Sequence, residues 1–366
     1  MKTNKKKKIL VLCPYPMNCA PSQRLKFEQY YNYFEENGFQ VTVSSFVTKK
    51  FWKILYKEGY FFKKAYFTLI GYVIRFLDLF RLCRYDIVYV HLWATPLGPP
   101  LFERFVRFFS KKIIYDIDDM VFLGHASYAN KPMKFLKSKS KIYFLTKYAN
   151  HVITSTPALS EFAKKYNSNV DEIPATINTN LYISKSNYRI NDTFILGYSC
   201  SHSTSKYLKE LEPVFIKLLN TNIKFKVLVI GDIYFKFTNK EIPLETIEWN
   251  IENEKKYLSL MDIGLYPLNN EPWVLGKRGG KILLYMAHGL PIIASAIGTN
   301  LQTFENYKDA ILIPYQNNDE WLNTILHLYQ NQELRESLGK NARKKVESLY
   351  STIVNYKNYL KILNSL

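Results

Sequence analysis

The chain of 366 residues is short of several things, and each shortage narrows what it can be. It has four cysteines, Cys13, Cys19, Cys83 and Cys200, with no CxxC pair among them. That spacing argues against a zinc finger and against a disulfide framework, and it points to a reducing compartment, the cytoplasm. No uncharged apolar run reaches the roughly 18 residues of a membrane-spanning helix. The most hydrophobic window, Ala65 to Cys83, is interrupted by Arg75, Asp78 and Arg81. Only Ile9–Leu12 separates the N-terminal lysines from Cys13-Pro14, too little for a signal peptide and suited to a first strand. Acidic residues are also scarce, 31 against 50 Lys and Arg, which leaves a net charge of +19.

An excess of that size calls for an anionic partner. Nucleic acid is not expected, because no reader motif is present. The segment Lys49–Arg84 interleaves cations with Phe51, Trp52, Tyr56, Tyr60, Phe61, Phe62, Tyr66, Phe67, Tyr72, Phe76 and Phe80. Basic, aromatic, helical segments of this kind lie at membrane interfaces, so an anionic membrane surface is the expected partner here. A helix pair packed on the core with solvated cations is the alternative.

Short β-branched runs alternate with longer helical patterns, which predicts parallel α/β architecture. Strands are expected at Ile9–Cys13, Gln40–Ser44, Asp86–His91, Lys112–Asp116, His151–Thr154 and Val170–Ile173. A second series is expected at Phe194–Tyr198, Phe225–Ile230, Thr246–Trp249, Ile263–Tyr266, Pro291–Ala294 and Ala310–Ile313. A helix over Ser22–Asn37 has a Ser cap and a closing Gly38. The polar stretch from Ile173 to Asp192 reads as a connector, giving an N-terminal domain over 1–185 and a C-terminal one over 190–345. Residues 346–366 would form a helix that packs back on the N-terminal domain. Two doubly wound domains would face a central cleft, with their active loops at the carboxyl ends of the strands.

The densest chemical signal is Gly276-Lys277-Arg278-Gly279-Gly280-Lys281, followed by an apolar helical run that closes at Gly289-Leu290-Pro291. Glycines allow close approach of a ligand, a helix N-terminus favours an anion, and the cations supply charge for phosphate oxygens. A Walker A loop is excluded: Leu275 stands where that loop needs glycine, and Ile282 where it needs Ser or Thr. Asp116, Asp118 and Asp119 cluster after a predicted strand, where carboxylates can orient a hydroxyl or take its proton. A divalent cation and a helix-capping role are the rival readings for these three. Arg24 opens the first helix, His91 ends a strand, and His125 follows Asp119. Trp273 is placed to stack on a sugar or base, or to lie buried under its loop.

Taken in order, Pro14-Tyr15-Pro16, Pro21-Ser22-Gln23-Arg24, Tyr85–Val88, Ile114–Asp119, His151–Thr154, Ile173–Asn178, Met261–Leu268, Pro272-Trp273 and Gly276–Pro291 resemble glycosyltransferase family 4. That family has the GT-B fold, and the likeness is greatest to its bacterial surface-polysaccharide enzymes. The resemblance implies retaining, metal-independent transfer of a sugar from a nucleotide-sugar donor to a glycan or lipid-linked acceptor. With the basic, aromatic segment Lys49–Arg84, such an enzyme is expected at the inner face of the cell membrane. Donor contacts would come from Ser201, Ser203, Thr204, Gly231, Trp273, Gly276, Lys277, Arg278 and Lys281. Asp118, Asp119, Lys277 and Lys281 would carry the chemistry, and Arg24, His91, Asp116 and His125 the acceptor. No metal or other cofactor is implied. Two glutamates of the family would fall near Gly276 and Leu284, and neither is present here. Their absence keeps open a degenerate transferase acting as a membrane-bound partner, and a sugar-nucleotide epimerase of the same fold is a further alternative.

Overall fold

The computed structural model describes residues 6–118, 120, 139–201, 204–276 and 279–366. The chain divides into two compact units, one of Met1–Ala175, Gly276–Arg278 and Asn355–Leu366, the other of Thr176–Leu275 and Gly279–Val354. The crossing at Ala175 lies ahead of the 185–190 region expected from composition. Residues after it are fastened to the second unit: the Tyr188 hydroxyl donates to the Gly289 carbonyl (2.8 Å), and Arg335 donates to the Tyr188 carbonyl. The last helix, Thr352–Ser365, carries Tyr359, Ile362 and Leu363 into the core of the first unit.

The first unit holds strands β1 (Lys7–Cys13), β2 (Phe39–Ser45), β3 (Ile87–His91), β4 (Ile113–Ile117), β5 (His151–Thr154) and β6 (Val170–Glu172). They form a parallel sheet in the order β2-β1-β3-β4-β5-β6. Helices cover both faces, which is why these strands read as continuous apolar runs. Ile9, Val11, Tyr89, Ile114 and Ile153 pack on one face with Phe27, Phe34 and Tyr359. Leu10, Leu12, Val88, Val90 and Tyr115 pack on the other with Val106, Leu145 and Leu159.

The second unit holds β7 (Phe194–Ser199), β8 (Phe225–Ile230), β9 (Leu244–Ile247), β10 (Ile263–Tyr266), β11 (Ile292–Ser295) and β12 (Ile311–Ile313). Their order, β12-β11-β10-β7-β8-β9, is that of a dinucleotide-binding doubly wound sheet, with the strand order reversing at β7 and β10. β9 begins two residues before the expected Thr246, because Val227 of β8 pairs with Leu244 and donates to the Pro243 carbonyl.

The expected helix Ser22–Asn37 is broken into Pro21–Arg24, a 3-10 turn at Glu28–Tyr30, and Tyr31–Glu36. Buried polar side chains break it. Gln23 trades hydrogen bonds with the backbone of Tyr15 and donates to Glu28, and Glu28 accepts from the Asn18 backbone (2.9 Å). Those bonds fix the Pro14–Ala20 loop, and the non-helical bend between them turns Lys26 into the core.

Candidate active site

In an open parallel sheet the loops at the carboxyl ends of the strands hold the ligand, at the point where strand order reverses. In the first unit that point lies between β1 and β3. His91 ends β3 and Asp116 lies near the end of β4, where the register pairs the two. Asp116 is fully buried and both its oxygens are taken. Oδ1 binds the Lys26 ammonium; Oδ2 accepts from the Tyr89 hydroxyl (2.8 Å) and lies 3.0 Å from His91 Nδ1. Burial raises the Asp116 carboxyl, but Lys26 and His91 outweigh it and hold it at about 2. The expectation for Asp116 was an acceptor contact; in the structure both of its oxygens bind protein groups. Those bonds set the position of His91 and Lys26.

Asp118 lies two residues on, less buried, with Oδ1 3.9 Å from Lys26 Nζ and its backbone carbonyl accepting from Ser155. Burial pushes the Asp118 carboxyl up, against the pull of Lys26 and His91, so it holds a proton more readily than an ordinary aspartate. His91 is buried, and among the described residues its Nε2 has no hydrogen-bond partner. Arg24 is half-buried on the neighbouring short helix, and its charge helps offset the raised carboxyl of the buried Glu28. A carboxyl raised by burial, an imidazole and a buried ammonium thus gather at the carboxyl end of this sheet. Lys26 was missed by sequence reasoning, because a lysine on an amphipathic helix reads as solvated. Its one signal was its place among Leu25, Phe27 and Tyr30. Asp119 and His125 lie outside the described residues.

In the second unit the reversal point lies between β7 and β10. Ser201 and Thr204 follow β7. The Thr204 hydroxyl accepts from the Ser201 backbone (3.1 Å) and from the Lys281 ammonium, which also sits 5.5 Å from the Tyr198 ring centre. Lys281 stands in the first turn of the helix Gly280–Ala287. That helix is fastened to the sheet by Tyr285, whose hydroxyl accepts from the Ser199 backbone (2.7 Å). Gly264 makes room for the Tyr285 ring, since a Cβ there would lie 2.7 Å from Cδ2. Gly231, after β8, has φ +118°, and a Cβ would lie 1.9 Å from the Cys200 carbonyl oxygen. Only glycine fits where these two loops meet.

After β10 comes a further acid, Glu271. Glu271 accepts from Lys206 (2.8 and 3.1 Å), from the Tyr207 hydroxyl (3.2 Å) and from the Trp273 indole. Burial raises its carboxyl, but hydrogen bonds from Lys206, Trp273 and Asn269 together outweigh that and hold it at about 2. Trp273 is thereby pinned beside Lys206 and Tyr207. The structure brings Ser201, Thr204, Gly231, Trp273 and Lys281 to one end of this sheet, together with Lys206 and Glu271. Gly276 ends the 3-10 turn Pro272–Gly276. Leu284 is buried in its helix, so that position presents no hydrogen-bonding group. Ser203, Lys277 and Arg278 lie outside the described residues. Among those residues no group of three or more His, Cys, Asp or Glu is placed to hold a metal ion.

Comparison with known proteins bears on both units. Residues 183–345 match the family described as glycosyl transferases group 1. A capsular polysaccharide biosynthesis glycosyltransferase of Staphylococcus aureus, CapM, is 21% identical over 187 residues. The match covers 48% of this chain and 47% of that protein, so the chain spans about half the length of the curated relative it matches. Among solved structures, sucrose-phosphate synthase from Thermosynechococcus elongatus superposes with a TM-score of 0.71 at 15% identity, over 98% of this chain and 99% of that one. Anabaena HepE in complex with UDP-glucose gives 0.70 at 14%, over 98% and 100%. The chain therefore has the GT-B fold, and its residues 183–345 match the glycosyl transferases group 1 family.

Proposed function

We propose that the chain is a retaining, metal-independent glycosyltransferase of family 4. It would move a sugar from a nucleotide-sugar donor to a glycan or lipid-linked acceptor of a surface polysaccharide, at the inner face of the cell membrane. The observation that carries this reading is the meeting of Lys281, Thr204, Ser201, Gly231 and Trp273 at the reversal point of the second sheet, inside the residues that match the transferase domain. HepE is a complex with UDP-glucose, so a UDP-sugar is the first donor to test.

In this reading the diphosphate lies against the first turn of the helix Gly280–Ala287, with Lys281 on its oxygens and Lys277 and Arg278 completing the charge. Charge building up on the departing nucleotide is then met by fixed cations. The anomeric carbon passes through an oxocarbenium-like state. Asp118, with its raised carboxyl, and Asp119 take the acceptor proton, while His91 and Arg24 hold hydroxyls. CapM acts in capsular polysaccharide biosynthesis, which supports a surface-glycan acceptor here. An anionic membrane surface contacts the segment Lys49–Arg84. A second reading, a degenerate transferase serving as partner to an active one, draws support from the burial of Leu284.

Calorimetry against UDP-, GDP-, ADP- and CMP-sugars, with chelator present, tests the proposal. One donor should bind saturably, and Lys281→Ala should cost about 2–4 kcal/mol of transition-state stabilisation in a turnover assay with that donor. Failure of every donor to bind would favour the degenerate partner.

A further inference from the structure

The helix Phe61–Leu79 is built inside out. Its buried side chains include Arg75 and Asp78, while Phe61, Phe62, Tyr66, Leu69, Val73, Phe76 and Leu77 are exposed, Phe62 by 86%. Positions 62, 66, 69, 73, 76 and 80 follow the helical repeat, so they make one continuous apolar stripe that Phe80 extends past the helix end. The same inversion recurs on the helix Leu101–Phe109. There Glu103 is fully buried, whereas Leu101, Phe105, Phe108 and Phe109 are exposed, Phe108 by 80%. The two helices are neighbours: Tyr72 of the first packs against Phe102 of the second, with ring centres 5.9 Å apart.

The buried charges are satisfied from within. Arg75 donates to the carbonyls of Cys13 (2.8 Å) and Ala94 (2.8 Å) and to Asp78 (2.9 Å), and Arg81 also donates to Asp78. Glu103 accepts from the Thr95 backbone (3.1 Å) and pairs with Lys141 (3.6 Å). Residues 49–112 carry thirteen Lys and Arg against four Asp and Glu. Three of those four acids, Asp78, Asp86 and Glu103, are engaged by protein cations. The aromatic stripes are therefore bordered by cations with little acid to cancel them.

We infer that Phe61–Leu79 and Leu101–Phe109 form a two-helix platform that seats its rings in the interface of an anionic phospholipid bilayer. This rests on the membrane-surface part of the reading above and adds a second helix and the side chains that enter the lipid. Charge complementarity selects this occupant. Aromatic and aliphatic rings partition to the headgroup–acyl boundary while neighbouring Lys and Arg meet lipid phosphates. No helix among the described residues is long and apolar enough to cross a membrane, so this contact is with the surface.

The test uses the full chain with vesicles of phosphatidylcholine, with and without phosphatidylglycerol, in a co-sedimentation assay. Binding should require phosphatidylglycerol and weaken with added salt. The double substitution Phe62→Ser/Phe108→Ser should reduce it about thirtyfold. A second variant, Lys63→Glu/Arg107→Glu, keeps the rings and should weaken binding by a comparable factor. Absence of binding to phosphatidylglycerol vesicles would overturn the inference, as would binding that both variants leave unchanged. Sedimentation equilibrium of the lipid-free chain runs in parallel: a dimer that dissociates in Phe62→Ser/Phe108→Ser would assign the face to a second copy and overturn the lipid reading. Donor calorimetry on the same preparation separates the two proposals, since donor binding without vesicle binding removes the platform alone.

Discussion

Replacing Lys26 by methionine isolates the charge cluster at the end of β4. Methionine keeps much of the apolar stem and removes the ammonium. Asp116 would then be a buried carboxylate held only by the Tyr89 hydroxyl and His91. Breaking one side of a buried pair costs about 3–5 kcal/mol, and the surviving bonds place this case near the low end, about 3 kcal/mol. The pH dependence follows from the Asp116 carboxyl, which moves from 3.8 to about 2 in the folded protein. Being depressed, it contributes stability above the unfolded value, and that contribution is lost as pH falls through 2. Without Lys26, burial dominates and the folded value rises above the unfolded one. The resulting penalty is then present at neutral pH and disappears on acidification. The deficit of Lys26→Met should therefore be largest near neutrality and shrink as pH falls toward about 4. Hydrogen exchange of the β3 and β4 amides reads this within the first unit. Lys26→Met/Asp116→Asn should recover about 1–2 kcal/mol, because no bare charge remains. A single variant as stable as the wild type, or a deficit that grows on acidification, would refute the electrostatic account.

Two substitutions in the second unit follow from its geometry. Gly231→Ala forces a Cβ to 1.9 Å from the Cys200 carbonyl oxygen at a backbone angle that L residues rarely adopt. It should lower the thermal midpoint by the equivalent of about 3 kcal/mol or more, and a loss under about 1 kcal/mol by calorimetry would show that the two loops yield freely. Glu271→Gln should release Lys206 and loosen Trp273 while costing at most about 1 kcal/mol, since the pair lies near the surface. Faster hydrogen exchange across 271–276 with little change in midpoint is the expected pair of readings, and unchanged exchange there would contradict it.

What could be read from the sequence depended on whether a signal was periodic or positional. Strands such as His151–Thr154, Phe225–Ile230 and Ile263–Tyr266 fall where they were expected, because burial on both faces leaves an unbroken β-branched run. Ser22–Asn37 misled for the opposite reason. Its apolar spacing is helical, yet the hydrogen-bond needs of Gln23 and Glu28 reshape the backbone, and no local pattern encodes that. Asp116 was visible as a carboxylate at a strand end. Its commitment to Lys26, ninety residues away, is a tertiary fact. The basic-aromatic composition of Lys49–Arg84 was plain, but composition cannot say that Arg75 and Asp78 turn inward while the rings turn out. The aromatic exposure of Leu101–Phe109 was not foreseen at all, since Leu-Phe-Glu-Arg-Phe-Val-Arg-Phe-Phe reads equally well as an ordinary packed helix.

The inward turn of Arg75 also bears on how a lipid-linked acceptor would reach the first unit. Its guanidinium spans the Cys13 carbonyl at the end of β1 and the Ala94 carbonyl three residues after His91. His91 ends β3, and Asp118 follows β4, which pairs with β3. A leucine at position 75 would have served packing alone, and burying a guanidinium is justified energetically only where several acceptors meet it. Here four do: two carbonyls, the Ser44 hydroxyl and Asp78. The aromatic platform is thus bolted to the loops of the site rather than to a remote face of the sheet. A membrane contact through Phe62 and Phe108 would fix the orientation of those loops to the bilayer and hold them near acceptors anchored in it. On the proposed function, then, the exposed rings and the buried arginine serve one geometric requirement. Detaching the platform should impair transfer to a lipid-anchored acceptor while sparing transfer to a short soluble one.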